Sequence, residues 1–218
     1  MFEIIPGVLE KEWSAIERKI ELVLPFAKSL HVDILDGKFA PNTTFLDPKP
    51  FKKFAEKITL ELHMMVHEPI EYLDPWSEAG FRRFIGQVEH MTSQAEFVAK
   101  AQRLGEVGLA VDSETQPDAI TVPFNDLDFL FVMTVKAGFS NQSFMEENLE
   151  KVMVFRERTP IPIEVDGGIN DQTIVKASQA GANRFVSTGF LFGKGDPKHQ
   201  FEALESVCSP HASQDVEV

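Results

Sequence analysis

The sequence is poor in cysteine. Cys208 is the only one in 218 residues, so no disulfide can form within the chain. Such usage suits a reducing compartment, and the cytoplasm is the expected location. Positive charge is also scarce. The 21 lysines and arginines face 34 aspartates and glutamates, a formal net charge of −13. An acidic surface disfavours nucleic acid and anionic membrane as partners. It also means that an anionic ligand would need its own locally favourable pocket. No apolar run approaches the roughly 18 residues that a membrane-spanning helix requires. The opening stretch MFEIIPGVLEKEW has no basic segment followed by a long apolar one, so no signal peptide is expected. Low-complexity sequence is confined to SPHASQDVEV (209–218), where polar and small residues predict a disordered tail.

What the chain does have is alternation. Apolar segments read as strands near 2–6, 29–34, 58–66, 82–88, 107–112, 127–135, 161–167 and 184–189. Amphipathic segments read as helices over 11–27, 48–56, 69–79, 92–104, 115–122, 145–158, 170–180 and 197–207. Eight β-then-α units predict an α/β fold, a single-domain (β/α)8 TIM barrel over 1–208. An open, doubly wound sheet is the rival. It would not explain why polar residues fall at strand C-termini in several units, whereas in a barrel those ends form the rim of the active site.

The stretch HVDILDGKFAPN (31–42) sets the chemical question. His31 and Asp33 are two apart, and residues i and i+2 of a strand share a face. His63 ends the strand LELH, and Asp166 ends IEVDGG. Taken singly, a strand-end histidine is more often a hydrogen-bonded structural residue, and an aspartate before glycine a turn former. Four such groups at matching positions, on a fold that gathers strand ends, reverse that balance. Two imidazoles and two carboxylates suit one divalent ion among Zn, Fe(II), Mn and Co. Four protein ligands could mean a closed structural site, but a barrel of this size needs no metal staple.

HVDILDGKFAPN closely resembles the His-x-Asp-x-Met-Asp-Gly-x-Phe-Val-Pro-Asn signature of the ribulose-phosphate 3-epimerases. The resemblance continues in ELHMMVHEP, VMTVKAGFSNQSFMEENLEKV, IEVDGGIN and AGANRFVSTGFLF, and covers roughly residues 3–207. It implies a metal-dependent barrel isomerase of the pentose phosphate pathway that interconverts D-ribulose 5-phosphate and D-xylulose 5-phosphate. It places the metal ligands on His31, Asp33, His63 and Asp166, and the acid/base pair on Asp33 and Asp166. Inverting C3 removes a proton α to a carbonyl and returns one to the opposite face, which two facing carboxylates can do through an enediolate. The phosphate is expected on backbone N–H groups of DGGIN (166–170) and STGFLFG (187–193), under a loop at KAGFSNQ (136–142). The substrate contacts then fall on Gly7, Met65, Met133, Gly138, Phe139, Ser140, Asn141, Gly167, Gly168, Thr188 and Gly189. Met65 and Met133 also read as ordinary core filler. A sugar phosphate is the expected partner, and a homo-oligomer is left open.

Several positions depart from the family pattern. Gly7 stands where a serine is usual, Leu35 replaces the signature methionine, and Gln87 stands where the fourth strand usually ends in histidine. Ser140 and Asn141 replace two loop glycines, and Thr188 with Gly189 replace a Gly-Ser pair. The metal and acid/base set is untouched, so the changes bear on recognition. One alternative is the same reaction on a hexulose 6-phosphate, with Gly7 giving a roomier pocket. Another is a catalytically weak barrel that binds sugar phosphates. The related decarboxylases and synthases use Asp-x-Lys-x-x-Asp, and HVDILDG offers no such lysine.

Overall fold

The computed structural model describes residues 2–139, 142–193 and 195–208. Eight strands run β1 (Glu3–Val8), β2 (Ser29–Leu35), β3 (Thr59–Met65), β4 (Arg83–Gln87), β5 (Glu106–Val111), β6 (Phe129–Met133), β7 (Ile163–Asp166) and β8 (Arg184–Ser187). Each pairs in parallel with the next, and β8 closes on β1. This is a single-domain (β/α)8 barrel, as the alternation predicts. The expected tail (209–218), Ser140 and Asn141 lie outside the described residues.

The strands read as apolar runs because both faces are covered. All seven residues of β2 are buried, His31 and Asp33 included. Outward-facing side chains such as Leu30, Val32, Leu60, Leu62, Val107 and Leu109 pack under the helices. Inward-facing ones fill the barrel with a second, smaller cluster that includes Ile5, Ile85, Phe129, Phe131 and Val186.

The outer layer is uneven. The full helices present regular apolar faces: α1 (Trp13–Val23) buries Ile16, Ile20 and Val23, and α4 (Leu149–Arg158) buries Leu149, Val152 and Phe155. After β3 a 3-10 turn (Pro69–Glu71) leads into a single short helix, α2 (Leu73–Glu78). In α3 (Gln94–Ala101), Ser93 caps the first turn by accepting from Glu96 N–H. Helix α5 (Thr173–Ala180) ends at Gly181 with φ of 113°, a conformation that suits glycine. A short helix, α6 (Gly189–Gly193), follows β8 and precedes α7 (Pro197–Cys208).

Two expected helices are reduced. The segment after β2 forms a 3-10 helix (Lys49–Phe54) beside Pro48 and Pro50, and 115–122 holds only one 3-10 turn (Pro117–Ala119). Proline lacks the N–H that a helix interior needs, and Pro117 and Pro123 bracket a segment too short to recover. No helix among the described residues is long and apolar enough to cross a membrane.

Candidate active site

Beside the apolar cluster, a column of polar side chains runs up the barrel interior to a cavity at its mouth. At its N-terminal end Arg83 and Arg184 pair with Glu3 and Glu106. One layer up, Glu61 and Glu164 project inward from β3 and β7, both fully buried. Next come His31, Asp33 and His63. Asp33 and Asp166 line the cavity above, which has a volume of about 350 Å³.

Strand register explains the gathering. His31 lies opposite Glu61, and Asp33 opposite His63. Alternation then aims all four side chains inward. On β7, Glu164 and Asp166 repeat the same two-residue step. One nitrogen or carboxylate oxygen from each of His31, Asp33, His63 and Asp166 lies within 4.8 Å of those of the other three.

Both imidazoles are held from behind. His31 Nδ1 donates to Glu61 Oε1 at 2.6 Å, and its Nε2 faces Asp33 Oδ1 at 3.3 Å. His63 Nδ1 lies 2.8 Å from the same Asp33 oxygen. Phe131 of β6 packs against both rings, parallel to His31 with centroids 5.6 Å apart and tilted to His63 at 4.6 Å. Asp166 is fixed through its backbone. Thr134 N–H donates to Asp166 O at 2.7 Å, and its hydroxyl bridges Asp166 O and Gly167 O.

The electrostatics separate the two aspartates. Burial disfavours charge on Asp33, but the charge of His31 and its hydrogen bond outweigh it and hold the carboxyl well below its usual range. Asp166 is only partly buried by surface area. Its carboxyl nonetheless sits deep enough in the mouth for desolvation to dominate, and the negative charge of Asp33 adds to it, pushing Asp166 up to about 7. Below them the pattern repeats. Burial and the charge of Glu61 push Glu164 up to about 8, whereas His31 overcomes the burial of Glu61 and lowers it. Burial opposes a charged His31, yet Asp33, Glu164 and Glu61 together raise its pKa well above the ordinary value. Burial lowers His63.

The donor set fits a divalent ion. With His63 neutral and its Nε2 donating to the Gln87 amide oxygen at 3.1 Å, the bare Nδ1 and Asp33 Oδ1 present two lone pairs to each other at 2.8 Å. A cation shared by both relieves that repulsion.

The remaining sequence-expected contacts distribute as follows. Met65, Met133, Gly138, Phe139, Gly167, Gly168, Thr188 and Gly189 line the cavity. Gly7 does not. It is buried opposite β8, and a Cβ there would collide with Thr188 Oγ1 and lie 2.8 Å from Val186 Cγ1. The space left by the missing side chain is therefore filled by Thr188, and position 7 adds no room. Gly167 and Gly168 have φ of 117° and 66°, left-handed values that let the chain turn directly after Asp166. Asn42 Nδ2 donates to Gly138 O at 2.8 Å and ties the loop after β2 to the loop after β6.

Sequence reasoning missed Glu61, Glu164 and Thr134, and among the cavity walls Leu9, Val135 and Val186; Ile169 and Asn170 fall in the DGGIN stretch expected to hold the phosphate. The two glutamates carried a signal. Each lies two residues before a ligand-type residue, the same step that linked His31 to Asp33.

Fold and site together define a barrel enzyme with two carboxyls lining the mouth cavity and a buried His/Asp cluster that could hold a metal ion. Residues 3–192 match the model of the ribulose-phosphate 3-epimerase family. The chain is 33% identical over 213 residues to ribulose-phosphate 3-epimerase of Schizosaccharomyces pombe, covering 94% of this chain and 92% of that protein. It is 32% identical over 213 residues to the cytoplasmic isoform of Oryza sativa subsp. japonica, covering 93% and 92%. The chain belongs to the ribulose-phosphate 3-epimerase family and is an epimerase. Among solved structures, KGPDC from Streptococcus mutans superposes with a TM-score of 0.72 at 9% identity, covering 94% of this chain and 96% of that one. A 3-hexulose-6-phosphate synthase from Salmonella typhimurium gives 0.70 at 12% identity, covering 94% and 97%. At such identities these two share the fold alone.

Proposed function

We propose that the protein interconverts D-ribulose 5-phosphate and D-xylulose 5-phosphate, with Asp33 and Asp166 as the proton-transfer pair. The observation that carries this reading is the opposite protonation preference of two carboxyls lining one cavity. In the metal-free protein Asp33 is held ionised, and burial with the charge of Asp33 pushes Asp166 up to about 7. In one direction Asp33 removes the C3 proton, and Asp166 delivers its own to the opposite face of C3. The product is the epimer, with the proton now on Asp33 and the charge on Asp166. The reverse reaction starts from that state, so neither carboxyl is consumed.

His31, Asp33, His63 and Asp166 are the residues that would hold the divalent ion. When bound, it supplies positive charge near the substrate oxygens as negative charge develops on them. Glu61 keeps His31 Nε2 turned toward the cavity, and Phe131 fixes the planes of both rings. Met65, Met133 and Val135 present an apolar wall that excludes water from the reacting carbon.

No lysine or arginine is among the described residues lining the cavity. The phosphate therefore rests on backbone N–H groups of Gly167, Gly168 and Gly189, at the ends of β7 and β8 where barrels of this class bind it. The hexulose 6-phosphate alternative gains nothing from Gly7, because Thr188 occupies the space.

The test is one incubation. Protein reconstituted with Zn(II) is mixed with D-ribulose 5-phosphate in D2O and followed by NMR. Xylulose 5-phosphate carrying deuterium at C3 is the expected product. Absence of both product and C3 exchange overturns the substrate assignment, and the same assay on hexulose 6-phosphate then decides the alternative.

A further inference from the structure

The side chain behind His63 identifies one more residue of the site. Gln87 ends β4, is fully buried, and lies between His63 Nε2 and two acceptors, Glu89 Oε2 and the carbonyl of Ala110. A primary amide has one accepting and one donating end. Glu89 Oε2 and Ala110 O can only accept, so the amide nitrogen faces them, at 2.8 Å and 3.2 Å. Its oxygen then faces His63 Nε2 at 3.1 Å and can only accept from it. The three contacts thus place a proton on His63 Nε2, and in the neutral ring that leaves Nδ1 bare toward Asp33.

We infer that Gln87 is the positioning residue for His63, locking the ring into the tautomer that offers Nδ1 to a metal. The inference rests on the metal reading of the cluster. It adds a second outer contact of different character from the first. His31 is backed by a carboxylate, Glu61, whereas His63 is backed by a neutral amide. A carboxylate pulls on the imidazole proton and makes the far nitrogen a stronger, more charged donor. An amide only orients it. The anchor continues outward, since Glu89 Oε1 accepts from Asp112 N–H at 2.7 Å, joining Gln87 to the C-terminal rim of β5. Outer contacts of ligand histidines typically matter to metal affinity by about 10- to 100-fold.

Gln87→Met keeps the length of the side chain and removes the acceptor. Its Zn(II) affinity, measured by competition with a chromophoric chelator, is expected to fall by about 10- to 100-fold. Thermal unfolding of the metal-free variant is expected to stay close to the parent, which separates positioning from folding. The tautomer is read without any variant: long-range 1H–15N spectra of the Zn-loaded parent should show His63 protonated at Nε2. Parent-like Zn(II) affinity in Gln87→Met overturns the inference, as does a parent His63 protonated at Nδ1, and in either case the metal site itself survives. A parent that binds no Zn(II) in the same competition assay overturns the metal reading and the inference with it.

Discussion

Asp33 and Asp166 come from strands that are not neighbours, β2 and β7, yet line one cavity with opposite affinities for a proton. Asp33 is stabilised as an anion chiefly by His31, and that anion is part of what pushes Asp166 up. The metal-free pair therefore prefers one ionised and one protonatable carboxyl, the state a two-carboxylate epimerisation would need at the start of a turnover.

Replacing Asp166 by asparagine preserves the shape and removes the transferable proton. Asp166→Asn is expected to cut kcat by roughly 10²–10⁴-fold, the usual weight of one acid/base group. Its far-ultraviolet circular dichroism should match the parent, because Thr134 holds this position through the backbone carbonyl rather than the side chain. Turnover within a few-fold of the parent would remove Asp166 from the mechanism.

Gly7 and Thr188 form a compensating pair across the β1–β8 seam. A serine at position 7 must displace Thr188 Oγ1 and Val186 Cγ1. Overpacking of this kind costs about 1–3 kcal/mol. Gly7→Ser is expected to destabilise by that amount in urea unfolding. Adding Thr188→Ala removes the nearer obstacle, so the double variant should recover part of the loss. A double-mutant cycle with no coupling between the two positions would show that they do not share the space.

The barrel was legible because parallel strands buried on both faces read as unbroken apolar runs, as SLHVDIL does. The helices after β2 and β5 were not, because proline at 48, 50, 117 and 123 removes N–H groups that apolar periodicity ignores. The gathering of His31, Asp33, His63 and Asp166 was legible because the two-residue step puts His31 and Asp33 on one strand face and the alternation of β3 and β7 turns His63 and Asp166 to the same interior. The layer beneath was within reach of the same two-residue step, which applied to β3 and β7 leads to Glu61 and Glu164. The fit of Thr188 over Gly7 and the three contacts of Gln87 were out of reach. They depend on which residues face each other across a seam and on which way an amide points, and neither is written in spacing.

The buried glutamates also make stability depend on pH. Glu164 has its pKa raised from the ordinary 4.5 to about 8 by burial and by the charge of Glu61. A carboxyl that holds its proton more tightly when folded contributes stability fully present below about pH 4.5, and this is lost as pH rises through about 8. Asp166 and His31 are raised too and act in the same direction. His63 is lowered and blunts the slope. Glu61 is lowered, so its contribution is lost only as pH falls below the ordinary carboxylate range. The melting temperature of the metal-free protein is therefore expected to fall between about pH 4.5 and 8. Glu164→Gln places a permanent N–H donor where the protonated carboxyl stood. It should reduce the dependence by up to one proton, about 1.4 kcal/mol per pH unit at the steepest point. Thermal melts of the metal-free parent and variant across this window check it. If the two show the same slope, Glu164 is not the group that holds the extra proton.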